Sequence, residues 1–165
     1  MIYRSLRGTV KKLGHGLDTD IIIPARYLTL PVEDMKYHAM EPVLPGFADA
    51  VRNGNIIVAG RNFGCGSSRE QAVAVLKELG IAAIVAISFA RIFFRNAINL
   101  GVPVIECELV YESVSEGDRI EVDPGDGGIR TLVDGRSFQG SKLPDFLLEI
   151  VRDGGLIPHL RRKRQ

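Results

Sequence analysis

Three glycines, two adjacent hydroxyls and two guanidiniums fall within Gly60-Arg61-Asn62-Phe63-Gly64-Cys65-Gly66-Ser67-Ser68-Arg69. Glycine tolerates positive φ and lets a backbone come close to a ligand. The apolar run Asn55-Ile56-Ile57-Val58-Ala59 before the stretch reads as a buried strand. After it, Ala72, Val75, Leu76 and Leu79 recur at i, i+3, i+4 and i+7, which reads as a helix. A strand, a glycine-rich turn and a helix start together make an anion site, because the first turn of a helix offers unpaired N–H groups and the positive end of its dipole. Gly64, Cys65 and Gly66 form the anion loop, and Ser67, Ser68 and Arg69 stand where they would meet a carboxylate or phosphate. Each has a plainer reading. Serine is a common helix cap, and an arginine in a first turn is often a solvated side chain, although the dipole slightly disfavours a cation there. The spacing matches neither nucleotide signature: no Gly-Lys-Ser/Thr closes the loop, and Arg69 stands three residues after Gly66 where GxGxxG needs glycine.

The elements that must position these residues follow from periodicity and punctuation. Ser5 to Lys12 reads as a first strand, and Asp18-Thr19-Asp20 as a polar turn feeding the apolar segment Ile21-Ile22-Ile23. A short helix or turn covers Ala25 to Leu30, and a helix covers Glu33 to Met40, ended by Pro42 and Pro45. Gly80 closes the helix that follows the anion loop. Ala82 to Ile87 is a second buried strand, Ser88 a cap for a helix through Leu100, and Val102 to Ile105 a third strand. Residues 55–105 therefore form a β-α-β-α-β run, which favours parallel strands with right-handed crossovers. Beyond it, Arg119 to Asp123 alternates polar and apolar, and Ile129 to Val133 and Arg136 to Gln139 flank an Asp134-Gly135 hairpin turn. A last helix starts at Pro144 and ends at Gly154, leaving the basic run 161–165 as a mobile tail.

Composition narrows the partners. The 165 residues make one domain, with 45% hydrophobic and 25% charged residues, ordinary for a globular protein. A formal net charge of +1 argues for neither nucleic acid nor membrane. The longest apolar run, Ile81 to Ile87, is far too short to span a bilayer, and the N-terminus lacks a signal-peptide pattern. Cys65 and Cys107 are isolated thiols that suit a reducing cytoplasm. Two cysteines, with His15, His38 and His159 scattered, hold neither zinc nor an iron–sulfur cluster by themselves, so no metal ligand is expected here. Arg91 and Arg95 lie at i, i+4 on one helical side and face a partner or solvent.

Three blocks carry a resemblance: Gly64-Cys65-Gly66-Ser67-Ser68-Arg69-Glu70, Asp18-Thr19-Asp20-Ile21-Ile22-Ile23-Pro24-Ala25-Arg26-Tyr27-Leu28, and Ser88-Phe89-Ala90-Arg91-Ile92-Phe93-Phe94-Arg95-Asn96. In their order along the chain they resemble the small subunits of the 3-isopropylmalate dehydratase family and, more broadly, the swivelling domain of the aconitase superfamily. The resemblance implies an α/β fold of three layers, β/β/α, with the parallel β-α-β-α-β segment inside one domain. It also implies a hydro-lyase of leucine biosynthesis, which interconverts 2- and 3-isopropylmalate by removing and re-adding water. The [4Fe-4S] cluster would sit on a separate large subunit, in a heterodimer or heterotetramer active only when assembled.

Carried over by residue, the resemblance makes Ser67 the base that takes a carbon-bound proton and Asp20 the aspartate that arranges the catalytic groups. Ser68, Arg69 and Arg26 would bind substrate carboxylates, while Asp18 reads as an ordinary turn aspartate. Tyr27-Leu28-Thr29-Leu30 matches the loop that discriminates substrates. Its Thr29 and Leu30 bring no extra cation for a further carboxylate, which favours an isopropyl group over a homocitrate-type substrate. Homoaconitase, citramalate or dimethylmalate chemistry is the alternative within the class, and an anion-binding regulatory module the alternative outside it.

Overall fold

Short apolar runs broken by frequent glycines require a chain that turns often, and the computed structural model, which describes residues 3–165, has that character. In chain order it forms β1 (Leu6–Lys12), α1 (Thr19–Ile22), α2 (Val32–Met35), α3 (Phe47–Ala50), β2 (Ile56–Ala59), α4 (Glu70–Glu78), β3 (Ala83–Ala86), α5 (Arg91–Asn99), β4 (Val104–Glu106), α6 (Glu108–Ser113), β5 (Arg119–Asp123), β6 (Gly128–Thr131), β7 (Ser137–Gln139), α7 (Asp145–Arg152) and α8 (Leu156–Lys163). One seven-stranded sheet runs β4-β3-β2-β1-β5-β6-β7. The strands from β4 to β1 pair in parallel, as the β-α-β-α-β reading requires, and those from β1 to β7 pair antiparallel.

Sequence pattern and burial agree strand by strand. All residues of β2 and β3 are buried, so these strands read as continuous apolar runs. In β5 only Ile120 and Val122 are buried, with Arg119 outside, which is the alternation of a strand with one face in the core.

The β/β/α layering comes from one sheet that curls on itself. Its two edges meet where Ser141 N–H donates to the Glu106 carbonyl at 2.9 Å and Glu106 N–H donates to Ser141 Oγ at 2.9 Å. Gly140 makes the approach possible, because a Cβ there would lie 2.5 Å from the Ile105 side chain. Inside the curl Val10, Val58, Val85, Ile105, Ile120 and Ile129 form one core, joined by Val110 of α6. On the other face, Ile57 and Ile84 pack with Ala72, Leu76, Phe93, Ala97 and Val151 of α4, α5 and α7 in a second core.

Several local expectations change. The Asp18–Ile23 turn is the single-turn helix α1, and the helix expected over Glu33 to Met40 splits into α2 and a 3-10 turn, Lys36–His38. It ends at Ala39, whose backbone is extended, and Met40 has φ 59°, well before the prolines. Ser88 does not cap α5; Ala90 holds that position without a side-chain cap, and Ser88 Oγ accepts from Asn62 N–H at 2.8 Å. The strands β4 and β6 lie at 104–106 and 128–131, a residue or two off the apolar runs that announced them, because pairing rather than hydrophobicity ends a strand. The basic run read as a tail is in part the last turn of α8, where Arg162 Nε donates to Asp153 at 2.8 Å. His159 of the same helix is buried against Asp153, with Nδ1 2.6 Å from Oδ2.

Candidate active site

The loops that leave β1, β2 and β3 at their C-terminal ends lie side by side, where open parallel sheets bind their ligands. Backbone bonds continue the sheet ladder past the strands. Gly60 N–H donates to the Gly14 carbonyl, Gly16 N–H to Arg61, Gly64 N–H to Leu17 and Thr19 N–H to Cys65, all at 2.8 to 3.0 Å. On the other side Phe63 N–H donates to Ser88 and Ala90 N–H to Phe63, both at 3.0 Å. The anion loop is thus tied to both neighbouring loops by main-chain bonds.

Two of the three glycines supply the conformational freedom read from the sequence, with φ 78° at Gly64 and 90° at Gly66. Gly64 also lacks room, since a Cβ would lie 2.2 Å from the buried Phe93 ring. Phe93 is held edge-on by Phe63 at 5.1 Å between centroids. Gly60 has no positive φ and is required for another reason: a Cβ there would strike the His15 ring at 2.3 Å. His15 Nδ1 accepts from Arg61 N–H at 2.8 Å, so this histidine props the loop.

Ser67 and Ser68 are exposed, and α4 begins after them at Glu70. Arg69 occupies the N-cap position and no side chain caps the helix, so the capping reading of both serines does not hold. Arg69 does not wave in solvent either. Its Nη1 donates to Asp20 Oδ1 at 2.7 Å and to the Ile23 carbonyl at 3.2 Å, and its side chain is 19% exposed against 64% for Asp20. The same Oδ1 accepts from Ala25 N–H at 3.2 Å. The Arg69 guanidinium, then the Ala25 N–H, hold the Asp20 carboxyl below the usual carboxylate range. Asp18 is the turn aspartate it was expected to be: its Oδ1 accepts from Ile21 N–H at 2.8 Å and caps α1. Between them Thr19 is buried, and its Oγ1, close under Gly66, has no hydrogen-bond partner.

Ala25 opens the expected specificity loop, whose first turn is a 3-10 helix, Ala25–Tyr27. The Tyr27 ring stacks on His38, 3.7 Å between centroids and 8° from parallel. The Arg26 guanidinium lies over the Tyr27 ring at 4.7 Å, and its Nη2 is 3.8 Å from Glu41 Oε1. His38 Nδ1 is 2.9 Å from Glu41 Oε2. Leu28 packs against the core, while Thr29 and Leu30 are exposed. The structure therefore brings Asp20, Arg69, Arg26 and the loop through Leu30 to one place. His15, His38 and Glu41 are the residues that sequence reasoning passed over, since they act on partners distant in the chain or through a ring stack that no spacing announces.

The remaining reactive groups lie apart. Cys65 is half-buried, with Sγ 3.8 Å from the Gly16 carbonyl, and Cys107 is buried with Sγ 3.8 Å from Gln139 O. Among the described residues no three His, Cys, Asp or Glu side chains converge as a metal site. Arg91 and Arg95 are exposed on α5 beside a groove of about 400 Å³ that Phe89, Phe94 and Lys142 also line.

With this geometry in view, the chain compares closely with known proteins. Residues 31–108 match the aconitase C-terminal domain family. The isopropylmalate/citramalate isomerase small subunit of Methanocaldococcus jannaschii is 50% identical, over 96% of this chain and 95% of its own length. The homoaconitase small subunit of Methanothermobacter thermautotrophicus is also 50% identical, over 93% of this chain and 89% of its own. The 3-isopropylmalate dehydratase small subunit of Clostridioides difficile is 45% identical, over 95% and 97%. A crystal structure of 3-isopropylmalate dehydratase from M. jannaschii superposes with a TM-score of 0.91 at 38% identity, covering 98% of this chain and 96% of that one.

Proposed function

The chain belongs to the small-subunit family of the 3-isopropylmalate dehydratases, built on the aconitase C-terminal domain, and from that membership we propose that it carries the proton-transfer and carboxylate-binding half of a hydro-lyase site. The observation that carries the reading is an exposed, uncapped Ser67 hydroxyl in the same loop as an arginine that Asp20 holds in place. Ser67 Oγ takes a proton from the substrate carbon next to the carbinol carbon. The C–H pair becomes the second bond of the alkene as the hydroxyl leaves the neighbouring carbon with the C–O pair, towards the large subunit's side of the site, where the cluster would supply the Lewis acid that receives it. Readdition reverses the steps with the two carbons exchanged, and Ser67 returns the proton. A serine hydroxyl is a very weak acid, so its deprotonated form needs the positive end of α4 and the charge of Arg69 close by. Arg69 has Nη1 committed to Asp20 and Ile23, and the rest of its fork is directed to a substrate carboxylate, with Ser68 as a further donor.

The cluster of this superfamily does not fit this chain, whose two thiols lie apart and, among the described residues, join no group of three His, Cys, Asp or Glu side chains. We place it on the large subunit and route no step of this chain through it. The openness of Ser67 and Ser68 supports the same division: they stand on a surface that a partner must cover to exclude water. No helix among the described residues is long and apolar enough to cross a membrane, and two unpaired thiols support a cytoplasmic location.

Exposed Thr29 and Leu30 at the loop tip support 3-isopropylmalate as substrate, a place in leucine biosynthesis, and 2-isopropylmaleate as the intermediate. Two relatives of equal identity are named for different substrates, so overall similarity does not choose between them and the loop must. The test is turnover by the pair reconstituted with its large subunit, followed by alkene absorbance with 2-isopropylmaleate and with homoaconitate. Activity on the first is expected, falling on the order of 10³-fold in Ser67→Ala with unchanged assembly. Full activity in that variant removes Ser67 from the chemistry, and a preference for homoaconitate moves the substrate.

A further inference from the structure

We propose that Glu41 determines substrate choice by neutralising Arg26, so that the loop beside the site offers an apolar tip and no spare cation. The inference rests on the function proposed above. Arg26 is the only cation of the 25–30 loop. It is one residue from Ala25, whose N–H shares Asp20 with Arg69, so its charge stands next to the substrate-binding group. Left free, it would pair with a third carboxylate of a longer substrate. The structure shows it engaged instead, lying over the Tyr27 ring at 4.7 Å with Nη2 3.8 Å from Glu41 Oε1.

Glu41 is in turn held from two sides. The neighbouring Tyr27 hydroxyl and then His38, whose Nδ1 lies 2.9 Å from Oε2, hold its carboxyl below the usual range. His38 also provides the face on which Tyr27 stacks. One carboxylate thus meets the arginine and the histidine that pack on the Tyr27 ring. The groups are well exposed, 64% for Arg26 and 38% for Glu41, so the pair adds little to folding stability. Its effect on a ligand is different in kind, because removing Glu41 takes away the carboxylate beside Arg26 and leaves only Asp20, already bound by Arg69, to offset a unit charge in the loop.

The experiment measures kcat/KM of the reconstituted pair on two alkenes, 2-isopropylmaleate with its apolar branch and homoaconitate with its third carboxylate. Glu41→Gln is expected to raise the homoaconitate to 2-isopropylmaleate ratio about tenfold, mainly through KM for homoaconitate. Glu41→Asp keeps the charge and is expected to keep the wild-type ratio. Adding Arg26→Gln to Glu41→Gln is expected to cancel the rise, since the freed cation is then gone. A purely structural role would lower kcat/KM on both alkenes together, and that result, or a ratio unmoved in Glu41→Gln, overturns the inference while the proposed function stands. A wild-type pair that turns over neither alkene overturns the proposed function, and this inference with it. A wild-type preference for homoaconitate overturns it too.

Discussion

The 60–69 loop and the 25–30 loop meet at one carboxylate, Asp20, yet they are held by opposite means. The first is fixed by main-chain hydrogen bonds to the loops on either side and by the rings of Phe93 and His15, which leave no room for a Cβ at Gly64 or Gly60. The second is fixed by partly exposed side chains: a ring stack, a cation over a ring, and contacts of Arg26 and His38 with Glu41. Main-chain bonds barely depend on which side chains are present, whereas exposed pairs are individually weak and change with one substitution. Under the proposed function, a scaffold so divided would keep its chemistry constant and leave its selectivity adjustable. Relatives equally similar to this chain carry names that differ in substrate, as such a division would produce.

The hardest blow to this contrast falls on Gly64. Alanine there must hold φ near 78° and displace Phe93, and the sum is expected to destabilise the fold by about 3 kcal/mol. Thermal or denaturant unfolding measures it, and a loss under 1 kcal/mol would mean that the loop is far more pliable than its bonding implies. Tyr27→Phe in the other loop keeps the stack and is expected to leave stability within about 0.5 kcal/mol.

Arg69→Lys retains charge but not the fork, and is expected to raise KM roughly 10- to 100-fold with kcat less affected. An equal loss in kcat alone would place Arg69 in the transition state rather than in binding. Acid dependence sharpens the role of Asp20. Its folded pKa is depressed, so the Arg69 pairing is fully present above the usual carboxylate range and is lost only as pH falls through that lowered value. The KM for substrate should therefore show no Asp20 limb near the usual carboxylate range, and Asp20→Asn, which can still accept from Arg69, should do less harm than Asp20→Ala.

The smallest effect is expected at Thr19. Its buried hydroxyl lacks a partner, so Thr19→Val removes an unsatisfied group and should cost no stability, within about 1 kcal/mol, while leaving the loop in place. A larger loss would show that the hydroxyl is bonded in solution and is a further tie beneath Gly66.

Much of the fold was legible because the parallel strands are buried on both faces and so read as apolar runs. The glycine-serine-arginine cluster could likewise be placed between β2 and α4 from periodicity alone. What stayed hidden has physical causes. Helix α6 is short and amphipathic against the inside of the curl, and α8 ends in a basic run whose charge resembles a solvated tail until Asp153 and His159 anchor it. Ser88 has the chemistry of a cap, but a loop amide reached it first.

By itself the sequence determined the parallel β-α-β-α-β run and the anion loop with its serines and Arg69, since these follow from local spacing and residue type, while Ser67 as base and Asp20 as its organiser were singled out by the family resemblance. Only the tertiary structure decided that the sheet closes on itself through Glu106 and Ser141, that Arg69 lies on Asp20, and that Arg26 answers to Glu41. Each of those contacts joins residues from different segments, and their geometry depends on sheet twist and loop packing, which no local pattern records.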